Sequence, residues 1–214
     1  MSEFTFVETS SGLQLRDAGP SRLTSLLRDF DELLAGIGVD LDTVLAPGLS
    51  APEVRRLFAS VDLIAPDELV VWYGWHNGLR VSTENTYLGL SPFVLPADLA
   101  WSIADYRYQL AETVPIGLWS SGWLCMESDG GALAVYCSGN AADLPRIRRQ
   151  HVEAYDFLEQ SADHQIVSLC TMVALWMDAL RARAIWPRLN DGFLEWEIDG
   201  PKLVAMDSGR LILF

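Results

Sequence analysis

The sequence predicts an α+β fold: a single domain with a mostly antiparallel sheet flanked by N-terminal and C-terminal helices. Apolar residues recur at helical spacing in several stretches between Leu23 and Leu110. Two strand-like runs then flank Asp129-Gly130-Gly131, a strong hairpin signal, and a further amphipathic stretch runs from Ile166 to Leu180. Helices before and after a block of antiparallel hairpins define that class. The length of 214 residues, 50% hydrophobic and 21% charged, suits one core that needs no disulfide or metal to stay folded.

The elements follow in order. Phe4-Thr5-Phe6-Val7-Glu8 and Leu13-Gln14-Leu15 predict a short hairpin around Ser10-Ser11-Gly12. After Gly19-Pro20, Ser21 is placed to cap a helix with Leu23, Leu26, Leu27, Phe30, Leu33 and Leu34 on one face, stopped by Gly36 and Gly38. Ser50-Ala51-Pro52-Glu53 reads as a capping box before the stripe Val54, Leu57, Phe58 and Val61. Pro66 opens a third helix through Leu69, Trp72 and Tyr73, expected to end in a left-handed turn at His76-Asn77-Gly78. Pro96 starts a fourth, with Leu99, Ile103, Tyr106 and Leu110 inward.

The hairpin strands are Trp123 to Glu127 and Ala132 to Tyr136, and Arg146 to Val152 is a more polar strand. Its Arg146, Arg148 and Arg149 form the one basic patch. In the last predicted helix Ile166, Leu169, Cys170, Val173, Trp176, Met177 and Leu180 share a face, with Arg181 and Arg183 in its final turn. Phe193 to Ile198 and Leu203 to Met206 read as closing strands around Asp199-Gly200-Pro201. Of the eight tryptophans, Trp72, Trp119, Trp123 and Trp176 are expected inside, because each lies on an apolar stripe or beside a hairpin.

The formal net charge is −14 and Lys202 is the only lysine. That balance repels nucleic acid and anionic membrane and favours a basic protein partner; solubility at neutral pH is the other reading of the same charge. No secretory signal and no apolar stretch of membrane-spanning length are seen, so a cytoplasmic protein is expected. Cys125, Cys137 and Cys170 lie in apolar surroundings with no C-x-x-C pair, and read as small core residues.

Catalytic signatures are missing from the sequence: it has no P-loop, no G-x-S-x-G elbow and no H-E-x-x-H. His151-Val152-Glu153 matches half of a zinc-deaminase motif without its P-C-x-x-C half. With only His76, His151 and His164, a metal site needs carboxylate help, while a Cys–His nucleophile pair stays open because such pairs meet only in the fold. Asp31-Glu32 and Asp67-Glu68 are expected on helix positions facing water, the latter pair complementing a helix dipole. The expectation is a non-enzyme with no catalytic residue, cofactor or metal.

Gly48-Leu49-Ser50-Ala51-Pro52-Glu53-Val54, Ala65-Pro66-Asp67-Glu68-Leu69 and Trp72-Tyr73-Gly74-Trp75-His76-Asn77-Gly78 follow one another along the chain. Leu95-Pro96 before a helix, Trp119-x-x-x-Trp123, the glycine hairpin and the helix from Ile166 come after them. This succession resembles the SUKH superfamily, named for a yeast cell-wall assembly regulator and its relatives. The resemblance covers Val44 to Ile198. It leaves residues 1–43 as an N-terminal extension, a hairpin and a helix packed on a main domain of residues 44–214. The sequence departs from the family at Cys137-Ser138-Gly139, where an acidic residue is usual, and in the length of the segment from Asn140 to Asp163.

The resemblance implies a non-catalytic α+β domain. Many bacterial members are immunity proteins that neutralise toxins, often nucleases, and others are regulatory modules. It also implies structural roles for Trp72, Trp75, His76, Asn77, Gly78, Pro96, Trp119, Trp123, Gly130 and Gly131. A partner surface is then expected on acidic or exposed positions flanking these motifs: Glu84, Asn85, Asp98, Glu127 and Asp129. Three functions follow: an immunity protein with a basic toxin partner, a housekeeping interaction protein, and an unrecognised hydrolase.

Overall fold

The computed structural model describes residues 3–80, 96–111, 122–126, 131–137, 139–151, 165–190 and 193–207. Along the chain these form β1 (Phe6–Thr9), β2 (Gly12–Leu15), α1 (Pro20–Ala35), α2 (Leu41–Val44), β3 (Leu45–Pro47), α3 (Ala51–Ala59), α4 (Asp67–Trp75) and β4 (His76–Leu79). There follow α5 (Leu99–Ala111), β5 (Trp123–Cys125), β6 (Gly131–Tyr136), β7 (Arg146–His151), β8 (Gln165–Val167), α6 (Leu169–Arg181), β9 (Ile185–Asn190), β10 (Phe193–Ile198) and α7 (Gly200–Asp207). This is the single-domain α+β fold that the sequence predicts.

Among the described residues, six strands form the main sheet in the order β1-β2-β8-β7-β6-β5. Every neighbour in it is antiparallel except β2 and β8, which run parallel. Register explains why the sheet closes a core. Leu13 lies beside Ile166, Ile166 beside Ile147, Ile147 beside Val135 and Val135 beside Leu124. The result is one apolar row across five strands, every member buried. Slipping any strand by one residue would turn its member of the row to the opposite face.

That core also holds the helices. α6 is apolar nearly all round, and of its residues only Leu175 and Arg181 escape full burial, as a central helix requires. α1 lays Leu23, Leu26, Leu27, Phe30 and Leu34 against α6 and α4. Where the three helices meet, Trp72, Trp75, Trp176 and Phe30 pack ring to ring at centroid distances of 5.5 to 6.4 Å. Trp72, Trp123 and Trp176 are buried as expected, and Trp119 lies outside the described residues. All three cysteines are buried.

Several local expectations give way to tertiary packing. α1 begins at Pro20 with Gly19 before it, so Ser21 is inside the helix and is not its cap. Leu110 is 53% exposed, although helical spacing had placed it inward. Ile166 belongs to β8 and contributes to the apolar row, while α6 starts three residues later. α6 ends at Arg181, leaving Arg183 beyond the last turn with φ 52°. The stretch from Leu203 to Met206 is helical, in α7, and the antiparallel partner of β10 is β9. Short apolar runs do not distinguish strand from helix, and here the β9–β10 pairing decided it.

Candidate partner-binding surface

The tryptophan-histidine-asparagine-glycine segment joins α4 to β3 and to the entry of α5. α4 ends at Trp75, and His76 enters extended backbone at φ −145°. His76–Leu79 is therefore a strand, β4, paired with β3, where the sequence suggested a helix-ending turn. The Asn77 side-chain oxygen accepts a 2.9 Å hydrogen bond from the Leu99 N–H and so caps α5. Gly78 sits at φ 77°, and a Cβ there would lie 2.5 Å from the Asp98 nitrogen. Only glycine lets β4 approach the entry of α5 this closely.

The entry itself runs from Pro96, which is buried, through Ala97, whose N–H donates to the Met126 carbonyl at 2.9 Å. Asp98 is exposed, and its carboxylate accepts from the Trp101 N–H at 2.8 Å. Leu99, Ser102, Ile103 and Tyr106 turn inward. Farther along, Arg107 donates to the carbonyl and hydroxyl of Ser60 at 3.1 and 2.9 Å, fixing α5 to the end of α3.

On another face, α1, α2 and His76 enclose a cleft of about 390 Å³ lined by Asp31, Ala35, Gly38, Val39, Asp40, Leu41, Asp42 and His76. The Asp31 Oδ2 accepts from the Trp75 indole N–H at 2.9 Å, while its Oδ1 is buried without a hydrogen-bond partner. Burial raises the Asp31 carboxyl above its ordinary range; the Trp75 hydrogen bond and the nearby His76 offset part of this. His76 Nδ1 lies 3.1 Å from the Ala46 carbonyl, which can only accept, so that nitrogen carries the hydrogen. Asp31 was expected to face water; Trp75 instead draws it partly under α4.

Glu68 departs further from that expectation. It is 1% exposed and lies against the start of α6. The Ser168 hydroxyl donates to its Oε1 at 2.6 Å and the Leu169 N–H to its Oε2 at 2.7 Å. Ser168 caps α6 at the same time, accepting from the Cys170 N–H at 3.0 Å with its own backbone at φ 80°. A buried carboxylate is thus held where the first-turn N–H groups and the helix dipole favour negative charge. Burial still raises its pKa, against the hydrogen bonds from Ser168, Leu169 and the Cys170 thiol that lower it. The Thr171 hydroxyl accepts from the Leu15 N–H at 2.8 Å, and the Gly19 N–H reaches the Cys170 sulfur at 3.4 Å. α4, β2 and the start of α1 therefore all converge on one helix end. The arrangement is sealed from solvent, and its chemistry is that of a structural joint.

The expected basic patch is partly absorbed as well. Arg148 stacks over Trp123 at 4.0 Å and Arg146 over Tyr136 at 4.3 Å, on the sheet face opposite the apolar row. Both side chains are half-buried, and the Arg148 guanidinium is lowered in pKa by burial and by Arg146.

Of the proposed partner residues only Asp98 is described; Glu84, Asn85, Glu127 and Asp129 lie outside the described residues, as does Gly130. Gly131 opens β6 opposite His151. Asp31, Asp40, Asp42 and Glu68 were missed as candidates. For Asp40 and Asp42 the only sequence signal was the acidic balance, whereas Asp31 and Glu68 read from the sequence as water-facing helix carboxylates. Among the described residues no group of three or more His, Cys, Asp or Glu could hold a metal ion, and no helix is long and apolar enough to cross a membrane. The chain matches no protein-family model and no curated protein.

Proposed function

We propose that this chain is a non-catalytic protein-binding domain whose partner is a basic protein, and that it acts as an immunity protein neutralising a nuclease-like toxin. The observation that carries the reading is the charge balance: −14 over the whole chain, with Lys202 as the only lysine. A nuclease binds a polyanion through a basic cleft, and an acidic protein competes for that same field. Charge complementarity of this kind raises association rates by about 10- to 1,000-fold at low salt. The motif residues support it indirectly. Trp75, Asn77 and Gly78 are each engaged within the fold, which leaves recognition to the acidic positions around them.

The test is co-expression. A gene adjacent to this one, expressed alone, is expected to arrest growth, and co-expression of this chain to restore it. The purified pair should associate more slowly as salt rises from about 0.05 to 0.5 M, because the Debye length falls to a few Å. Growth arrest that this chain does not relieve, or an association rate indifferent to salt, would favour the housekeeping interaction reading, with charge serving solubility.

A further inference from the structure

We infer that the outer face of α5 is the surface on which the basic partner docks, with Trp101 and Tyr108 as its anchors. This rests on the basic-partner reading above and specifies where that partner binds. Trp101 is 40% exposed and Tyr108 62% exposed, and they stand two turns apart on one side of the helix. Ala104, between them, is exposed and small, leaving the two rings accessible from above. Asp98 and Asp105 fall along one edge of this stripe, at spacings of three and four from Trp101. The opposite side of the same helix is committed to the core through Leu99, Ile103 and Tyr106. A helix that buries one side and offers large aromatic rings on the other exceeds what the fold needs.

Three further facts select the occupant. Tryptophan and tyrosine are the residue types that most often anchor protein interfaces. Their ring faces attract arginine and lysine, and carboxylates along the edge strengthen that field. A second copy of the chain is the wrong partner, because it would bring −14 against −14. The helix is also held in place before any partner arrives. Asn77 and Asp98 cap its first turn and Arg107 ties it to Ser60, so little ordering remains to be done on binding.

The experiment places a photo-crosslinking amino acid at Tyr108 or, as a control, at Ser11 in the β1–β2 turn, in the full chain within its native cell. The protein joined at position 108 is identified, purified and titrated against wild type, Trp101→Ala, Tyr108→Ala and Asp98→Ser. Both aromatic side chains stand at the surface, so the variants should keep the wild-type circular dichroism, with the urea midpoint unchanged in Tyr108→Ala and lowered modestly in Trp101→Ala, whose ring is more than half covered. Serine at position 98 retains a capping oxygen and removes the charge. The expected result is a protein of net positive charge whose affinity drops about tenfold or more in each aromatic variant. Its association should also slow a few-fold in Asp98→Ser, with dissociation little changed. A basic partner that binds Trp101→Ala and Tyr108→Ala as tightly as wild type would overturn the assignment of α5 and leave the basic-partner reading standing. Capture at position 108 of an acidic protein or of a second copy of this chain would overturn the inference itself. Crosslinking to a basic protein at Ser11 alone would move the interface elsewhere. No adduct at either position counts against both proposals.

Discussion

Glu68 and Asp31 are both helix carboxylates withdrawn from water, and both are raised in pKa chiefly by that withdrawal. They differ in what meets them. Glu68 has a donor on each oxygen, from a hydroxyl and a helix N-terminal N–H. Asp31 has a donor on one oxygen and none on the other, and that carboxylate borders an acidic cleft. A fully satisfied buried carboxylate closes a structure, whereas a half-satisfied one leaves acceptor capacity unused. The comparison separates the joint that holds α4 to α6 from the wall of the α1–α2 cleft.

The largest expected effect is at the joint. Glu68→Ala leaves the Ser168 hydroxyl and the Leu169 N–H buried without an acceptor, at about 1–3 kcal/mol each. Urea unfolding should therefore show a loss of about 2–5 kcal/mol, while Asp31→Ala, which strands only the part-buried Trp75 N–H and removes an orphan oxygen at the same time, should cost about 1 kcal/mol. Equal losses in the two variants would break the comparison.

The pH dependence is smaller and sharpens the same point. A carboxyl whose pKa is higher in the folded state than in the unfolded chain stabilises the fold most below the ordinary carboxylate range. That contribution is lost as pH rises through the raised value. Wild type should accordingly lose stability relative to Glu68→Gln as pH rises from about 4 to 7, and lose less relative to Asp31→Asn because Asp31 is only partly buried. A wild-type curve parallel to that of Glu68→Gln would mean that the joint ionises as freely folded as unfolded. The smallest expected signal comes from Cys170, whose thiol is pushed up to about 12, chiefly by burial. At pH 8 iodoacetamide should leave it unmodified in the native protein and label it on unfolding. Rapid native labelling would show that the joint opens locally.

The sequence by itself determined the elements that obey short-range rules. The β1–β2 hairpin, the buried faces of α1, α3 and α4 and the β5–β6 pairing were legible, since alternation and helical spacing are properties of neighbours along the chain. Trp72, Trp123 and Trp176 were legible as core for the same reason. Asp98 was legible as a flanking acid, because it stands just after a proline that announces a helix.

Only the tertiary structure decided the parallel pairing of β2 with β8, which weaves the first strands of the chain into the main sheet. It also decided that Glu68 points at the start of α6, one hundred residues away in sequence to Ser168. In the first turn of α4 an acid satisfies the dipole whether it faces water or another helix, and no local pattern tells the two apart. Trp101 and Tyr108 escaped notice on the same grounds. α5 carries apolar residues on both sides, so spacing alone could not say which side the sheet and α3 would cover. What covers a side chain is settled by segments far away in sequence, and that is where the joint, the cleft and the open helix face were made.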